Sequence, residues 1–190
     1  MTIENAQKCQ SEAIARLIME AMDLDCCQYF AGPEHTLDDF RAMLCELIEM
    51  ENSQYSYRNT LVALADGDVA GICVCYDGGD LHRLREAFLS VCERRLGMNH
   101  RGMDDETGPG ELYVDSLAVA HGHRRQGIAT ALLHQARLKA KALGLEQVGV
   151  LVDQGNWSAQ TFYEKIGFRM VAHAAWGGHP MLHLQWPTNT

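Results

Sequence analysis
The sequence predicts one α/β domain of the α+β kind, in which amphipathic helices and short strands share a single chain. Three observations carry that expectation. Five segments place apolar residues at helical spacing among short strand-like runs, an Asp-Gly turn joins two of those runs, and a basic, glycine-containing loop sits at a strand-to-helix junction. At 190 residues the chain has the size of one domain. The expected organisation is therefore a single domain over 1–190, with an insertion at about 78–110 that interrupts the regular pattern and is expected to shape specificity.

Taken in order, Ala13, Ile14, Leu17, Ile18 and Ala21 recur at helical spacing from Ser11 to Met22, with Ser11 as the expected N-cap. Thr36-Leu37-Asp38-Asp39 opens a second helix, whose apolar stripe is Phe40, Met43, Leu44, Leu47 and Ile48. Residues 60–65 and 69–76 read as a β-hairpin, because Asp66-Gly67 supplies the positive-φ positions of a tight turn. Within the insertion, Leu81, Leu84, Phe88, Val91 and Cys92 suggest a helix, followed by the charged loop RGMDDETGPGE. A strand over 111–119, a helix from near Gly127 to Leu143, a buried strand over 147–152, a helix over 158–166 and two closing strands complete the pattern. Ala159, Phe162 and Ile166 are the expected core positions of the last helix.

Composition narrows function. With 16 Lys and Arg against 25 Asp and Glu, the net charge of −9 argues against nucleic acid as the ligand and suits a cationic partner. No apolar run is long enough to span a membrane, and the first residues do not form a signal peptide, so the expected location is the cytoplasm. Seven cysteines, an odd number without a CxxC pair, read as reduced thiols serving mostly as small core residues. The His121/His123 and His179/His183 pairs have no carboxylate or thiol at ligand spacing, so no metal is expected. No role is assigned to the arginines at 83, 85, 94, 95 and 101, for which a solvated helix face is the default.

The junction after Val119 carries the chemistry. The loop Ala120-His121-Gly122-His123-Arg124-Arg125-Gln126-Gly127-Ile128-Ala129 runs straight into a helix, whose N-terminus offers free amides and the positive end of a dipole. Glycine there lets an anion approach the backbone, which makes a phosphate site. Neither the Walker A pattern nor GxGxxG is present. Arg124-x-x-Gly127-x-Ala129 resembles the acyl-CoA pyrophosphate loop of the GCN5-related N-acetyltransferase (GNAT) family. A second block, Asn156-x-x-Ala159-x-x-Phe162-Tyr163-x-x-x-Gly167-Phe168, resembles the same family's downstream segment and lies in the expected order.

The resemblance implies a mostly antiparallel twisted sheet in which the strands 111–119 and 147–152 run parallel and splay apart, leaving a slot for pantetheine. It implies acetyl-CoA as co-substrate, bound by the main chain of Leu117, Ala118 and Val119 and by the amides of Arg124, Arg125, Gln126, Gly127, Ile128 and Ala129, with Asn156 on the CoA arm. It implies Tyr163 as general acid toward the departing thiolate, and an acidic residue on the strand as base. Strand alternation places Glu111, Tyr113, Asp115, Leu117 and Val119 on one face, and Asp115 ranks ahead of Glu111 because its position is commonly acidic in the family. Either carboxylate needs desolvation or a water chain to act on an ammonium. The acceptor is expected to be an amine, as a small molecule or a protein N-terminus, and a homodimer is compatible with the resemblance. Two alternatives stay open: a non-catalytic acyl-CoA-binding sensor, and transfer of a different acyl group.

Overall fold
The structure is a computed structural model, in which residues 1–189 are described. Seven strands, β1 (Thr2–Asn5), β2 (Thr60–Ala65), β3 (Asp68–Asp77), β4 (Glu111–Val119), β5 (Gln147–Asp153), β6 (Arg169–Trp176) and β7 (His179–Pro187), form one sheet in the order β1-β2-β3-β4-β5-β7-β6. All neighbours pair antiparallel except β4 and β5, which run parallel. The predicted α+β class and mixed sheet are therefore present.

Alternation along the central strands feeds two cores. Val62, Ile72 and Val74 point to the layer of α1 (Ser11–Met22), α2 (Leu24–Ala31), α3 (Leu37–Glu49) and α4 (Leu81–Leu96). Leu61, Ala63, Cys73 and Cys75 point the other way, to α5 (Ile128–Ala142) and α6 (Trp157–Ile166). The Asp66-Gly67 turn has the two positive φ angles, 54° and 92°, that the dipeptide predicts. At α3, Thr36 and Asp39 form a capping box, with the Thr36 amide donating to Asp39 at 2.8 Å.

Several expectations need correction. Gln10, not Ser11, occupies the N-cap of α1, because a short 3-10 turn over 8–10 leads into the helix. Ser11 instead donates its hydroxyl to Glu49 at 2.8 Å, tying the start of α1 to the end of α3. The strand β1 and the helix α2 had no counterpart in the sequence reading. The insertion is not only a surface feature, since its helix α4 buries Leu81, Leu84, Phe88, Val91 and Cys92 as the apolar spacing predicts. In α6 the buried positions are Gln160 and Tyr163, whereas Ala159, Phe162 and Ile166 are only partly covered. Four of the seven free cysteines are buried, at 27, 73, 75 and 92.

Candidate active site
Strands β4 and β5 pair only through Glu111–Gln147, Leu112–Val148 and Tyr113–Gly149. Beyond Tyr113 they diverge into a V, and the main chain of the upper half of β4 has a partner only on its β3 side. Unpaired strand edges of that kind are backbone donors and acceptors available to a ligand. The V opens into a cavity of about 1060 Å³, large for a single small-molecule site and compatible with two substrates meeting.

A β-bulge re-aims the side chains at the mouth of the V. On β3, Val74 pairs with Ser116 while Cys75 pairs with Val114, so Asp115 is the extra residue. The bulge breaks the period of two. Tyr113 pairs with Tyr76 on one face, whereas Leu117 and Val119 pair with Cys73 and Gly71 on the other. The expected single face from Glu111 to Val119 is thus corrected: Asp115 stays on the Tyr113 side as alternation predicts, and the extra residue switches Leu117 and Val119 to the other side.

The two acidic residues of β4 have different surroundings. Glu111 lies at the apex of the V, 2% exposed, and is absent from the cavity lining. Its carboxylate sits directly over Gly149, where an added Cβ would meet Oε2 at 2.0 Å. Thr107 Oγ1 donates to it at 2.6 Å and Gln185 Nε2 at 2.7 Å, while His183 Nε2 lies 2.8 Å away. Burial would raise its pKa, but the hydrogen bonds from His183, Thr107 and Gln185 outweigh that and hold it below the usual glutamate value. It is a satisfied anion that clamps β4 across β5 to β7.

Asp115, by contrast, lines the cavity. Tyr76 donates to its Oδ2 at 3.0 Å, Gln54 Nε2 at 3.2 Å, and Ser116 Oγ to Oδ1 at 3.1 Å. Burial pushes its pKa up in spite of these donors. Tyr163 reaches the same cavity from α6; its hydroxyl makes no hydrogen bond within the described residues and is not sealed from the cavity. A core tyrosine would have a satisfied hydroxyl. Burial raises the Tyr163 pKa as well, which keeps the phenol protonated. Asn156 also lines the cavity, but its Oδ1 caps α6 by accepting from the Ala159 amide at 3.0 Å, leaving the Nδ2 group as its free donor.

At the loop, Arg125 and Gly127 both have positive φ, 63° and 81°, and Gly127 is the N-cap of α5. The amides of Arg125, Gln126 and Gly127 have no acceptor among the described residues, and those of Ile128, Ala129 and Thr130 form the open first turn. A row of orphan donors at a helix N-terminus fits a pyrophosphate. The Arg124 side chain turns away, donating to the Val119 carbonyl at 2.9 Å and to Glu20 at 2.9 Å, so it braces the loop.

The insertion arginines are engaged by acids: Arg83 by Asp80, Arg94 and Arg95 by Glu46, Arg101 by Glu86, and Arg85 by Asp105 and Glu106. The last pair is the part of the site that sequence reading missed. Glu106, from the loop after α4, lies behind Asp115 with Tyr76 between them. The five aspartates around the cavity, at 23, 25, 104, 115 and 153, face no lysine or arginine in its lining. Among the described residues no cluster of His, Cys, Asp and Glu could hold a metal ion, and no helix is long and apolar enough to cross a membrane.

This V-shaped parallel pair, with a bulge carboxylate, a cavity tyrosine and an anion loop at its mouth, defines an acyl-CoA transferase type of fold. A profile of the acetyltransferase (GNAT) family matches residues 18–168, and the chain belongs to that family. A solved structure described only as an acetyltransferase superposes with a TM-score of 0.84 at 29% identity, covering 100% of both chains. An N-acetyltransferase from Staphylococcus aureus Mu50 shares the fold with a TM-score of 0.79 at 20% identity, over 97% of this chain and 100% of that one. The chloroplastic GCN5-related N-acetyltransferase 6 of Arabidopsis thaliana is 46% identical over 59 residues, 31% of this chain. That match spans 20% of the relative's own length.

Proposed function
We propose that the protein transfers an acetyl group from acetyl-CoA to the primary amine of a cationic acceptor, by direct attack in a ternary complex. The observation that carries this reading is the meeting, in one cavity at the fork of β4 and β5, of the Asp115 carboxylate and a Tyr163 hydroxyl with no hydrogen-bond partner among the described residues. Family membership supplies the donor class, and the free amides of 125–130 match its pyrophosphate.

In this reading those amides hold the diphosphate while the unpaired edge of Leu117–Val119 holds the pantetheine in the slot. The same unpaired edge near the bulge offers N–H groups to the thioester oxygen as it gains charge. Asp115 accepts the proton of the incoming amine, and its raised pKa suits the task better than that of an ordinary carboxylate. Tyr163 supplies a proton to the sulfur as the C–S bond breaks. The aspartate-lined cavity favours a cationic acceptor, because an excess of one charge in a walled cleft concentrates the opposite charge.

Calorimetric titration of acetyl-CoA, paired with thiol release over a panel of amines and product mass, tests the reading. Saturable binding, release with cationic primary amines and a product heavier by one acetyl group are expected. Binding without release on any amine would overturn the transferase reading in favour of a sensor, and a different mass increment would replace the acetyl group.

A further inference from the structure
We propose that Asp115 and Glu106 act as one proton-binding pair bridged by the Tyr76 hydroxyl, and that Glu106, outside the cavity, is the positioning residue that sets the basicity of Asp115. The inference rests on the reading of Asp115 as the base.

The geometry makes the argument. Tyr76 Oη lies 3.0 Å from Asp115 Oδ2 and 3.4 Å from Glu106 Oε1. A phenol has a single proton to donate. It can satisfy one carboxylate, and it bonds the other only as an acceptor, when that second group is protonated. The bridge is fully made when the pair holds one proton between its two carboxyls. Charge leads to the same count. Arg85 is the one cation bonded within this set, its side chain 4% exposed, and it pairs with Glu106 and with the half-exposed Asp105, which His82 meets from the solvent side. With both carboxyls ionised, Glu106, Asp115 and Arg85 sum to one uncompensated negative charge; one bound proton removes it.

The groups packed around the pair do not supply that missing positive charge. Tyr55 from the loop before β2, Tyr113 on β4 and Tyr76 on β3 are all pushed to higher pKa by burial and then by the two carboxylates, so they remain neutral. Cys26 on α2 is raised by burial and then by Asp23, and stays a thiol. The indole of Trp176, at the cavity wall, faces Glu106 without reaching hydrogen-bond geometry. Glu106 itself is raised to about 7, by burial first and by Asp115 next, against the opposing pull of Arg85.

The step balances as a proton transfer. The doubly ionised pair takes one proton from the acceptor ammonium through Asp115, giving the free amine and the singly protonated pair. The proton is then shared as Tyr76 passes its own hydrogen to Glu106 and receives the one on Asp115, and it leaves to water after turnover. A lone aspartate would hold that proton less tightly and would be the weaker base.

The test is a 13C-carboxyl NMR titration of the whole chain without ligand, with resonances assigned from Glu106→Gln and Asp115→Asn. Two coupled steps are expected, separated by more than about one pH unit with the upper one near neutrality, and in Glu106→Gln a single Asp115 step at lower pH. Independent titration of both carboxyls in the ordinary range would overturn the proposal, as would an unmoved Asp115 step in Glu106→Gln. Should Glu106→Gln fail to fold, the two steps of the native chain decide, and Tyr76→Phe checks the bridge. The titration needs no turnover, so an inactive enzyme would count against the transferase reading and leave the pair intact. In the active enzyme, Glu106→Gln should move the acid limb of kcat/KM down by at least one pH unit with acetyl-CoA affinity kept; a lower rate with an unmoved limb would reduce Glu106 to a structural role.

Discussion

The two carboxylates of β4 stand four residues apart and are chemically alike, yet the fold treats them in opposite ways. Glu111, at the apex where β4 and β5 still pair, is surrounded by donors and held below its usual pKa. Asp115, on the bulge where the strands have parted, also has three donors but stands half-buried at the cavity beside a second carboxylate, and loss of hydration pushes it up. One is bound into the frame and the other is left under-solvated at the cavity. The difference teaches that strand position relative to the fork, and not residue type or parity, decides which acid lines the cavity.

The largest expected effect follows from that difference. Asp115→Asn should lower kcat/KM about 10²–10⁴-fold at pH 7 while changing the Kd for acetyl-CoA less than about three-fold, measured by thiol release and calorimetry. Tyr163→Phe should cost about 10²-fold in kcat with KM little changed, because the acid acts after the substrates are bound. At the apex the expected loss is structural. Gly149→Ala puts a methyl group into the Glu111 carboxylate and should cost about 1–3 kcal/mol, read as a lower Tm in thermal unfolding.

The pH dependence of unfolding sharpens the contrast, because the two sites have opposite signs. The folded pKa of Glu111 is depressed, so its contribution is present above the ordinary glutamate value and is lost as pH falls through the folded one. Glu106 and Asp115 are raised, so their contribution is present below the ordinary carboxylate values and is lost as pH rises, for Glu106 through about 7. Glu111→Gln should therefore flatten the acid side of a Tm–pH curve, and Asp115→Asn the side approaching neutrality. The smallest effect is expected at Arg124→Ala. Its guanidinium braces Val119 and Glu20 at the surface, so acetyl-CoA affinity should change by less than about five-fold, in line with the worth of an exposed ion pair.

Much of the frame was legible because local signals and tertiary structure agree. Asp66-Gly67 fixed its hairpin, the Thr36/Asp39 box began α3, and Gly127 sits where the loop turns into α5. The short elements escaped because their local signals are weak. Strand β1 has four residues with only one partly covered, and α2 has eight, too few for a periodic pattern to stand out. The residues of the candidate site could be proposed from the sequence, but their geometry could not. Asp115 and Tyr163 could be named, but the bulge that aims Asp115 is a property of pairing with β3 and leaves no mark on β4 itself. Glu106 was unreadable for a related reason: in sequence it belongs to an acidic surface-like run, and only the buried Arg85 of α4 draws it in behind Asp115. The apex role of Glu111 likewise depends on Gly149, His183 and Gln185, which lie 38, 72 and 74 residues away in the chain.

The pH profile of kcat/KM for the native enzyme, compared with Asp115→Asn and Glu111→Gln on one cationic primary amine, tests the central claim most directly. The native profile should rise along an acid limb to a plateau; that limb should vanish in Asp115→Asn and survive in Glu111→Gln. A limb that persists in Asp115→Asn, or that disappears in Glu111→Gln, would contradict the assignment of the bulge carboxylate as the base.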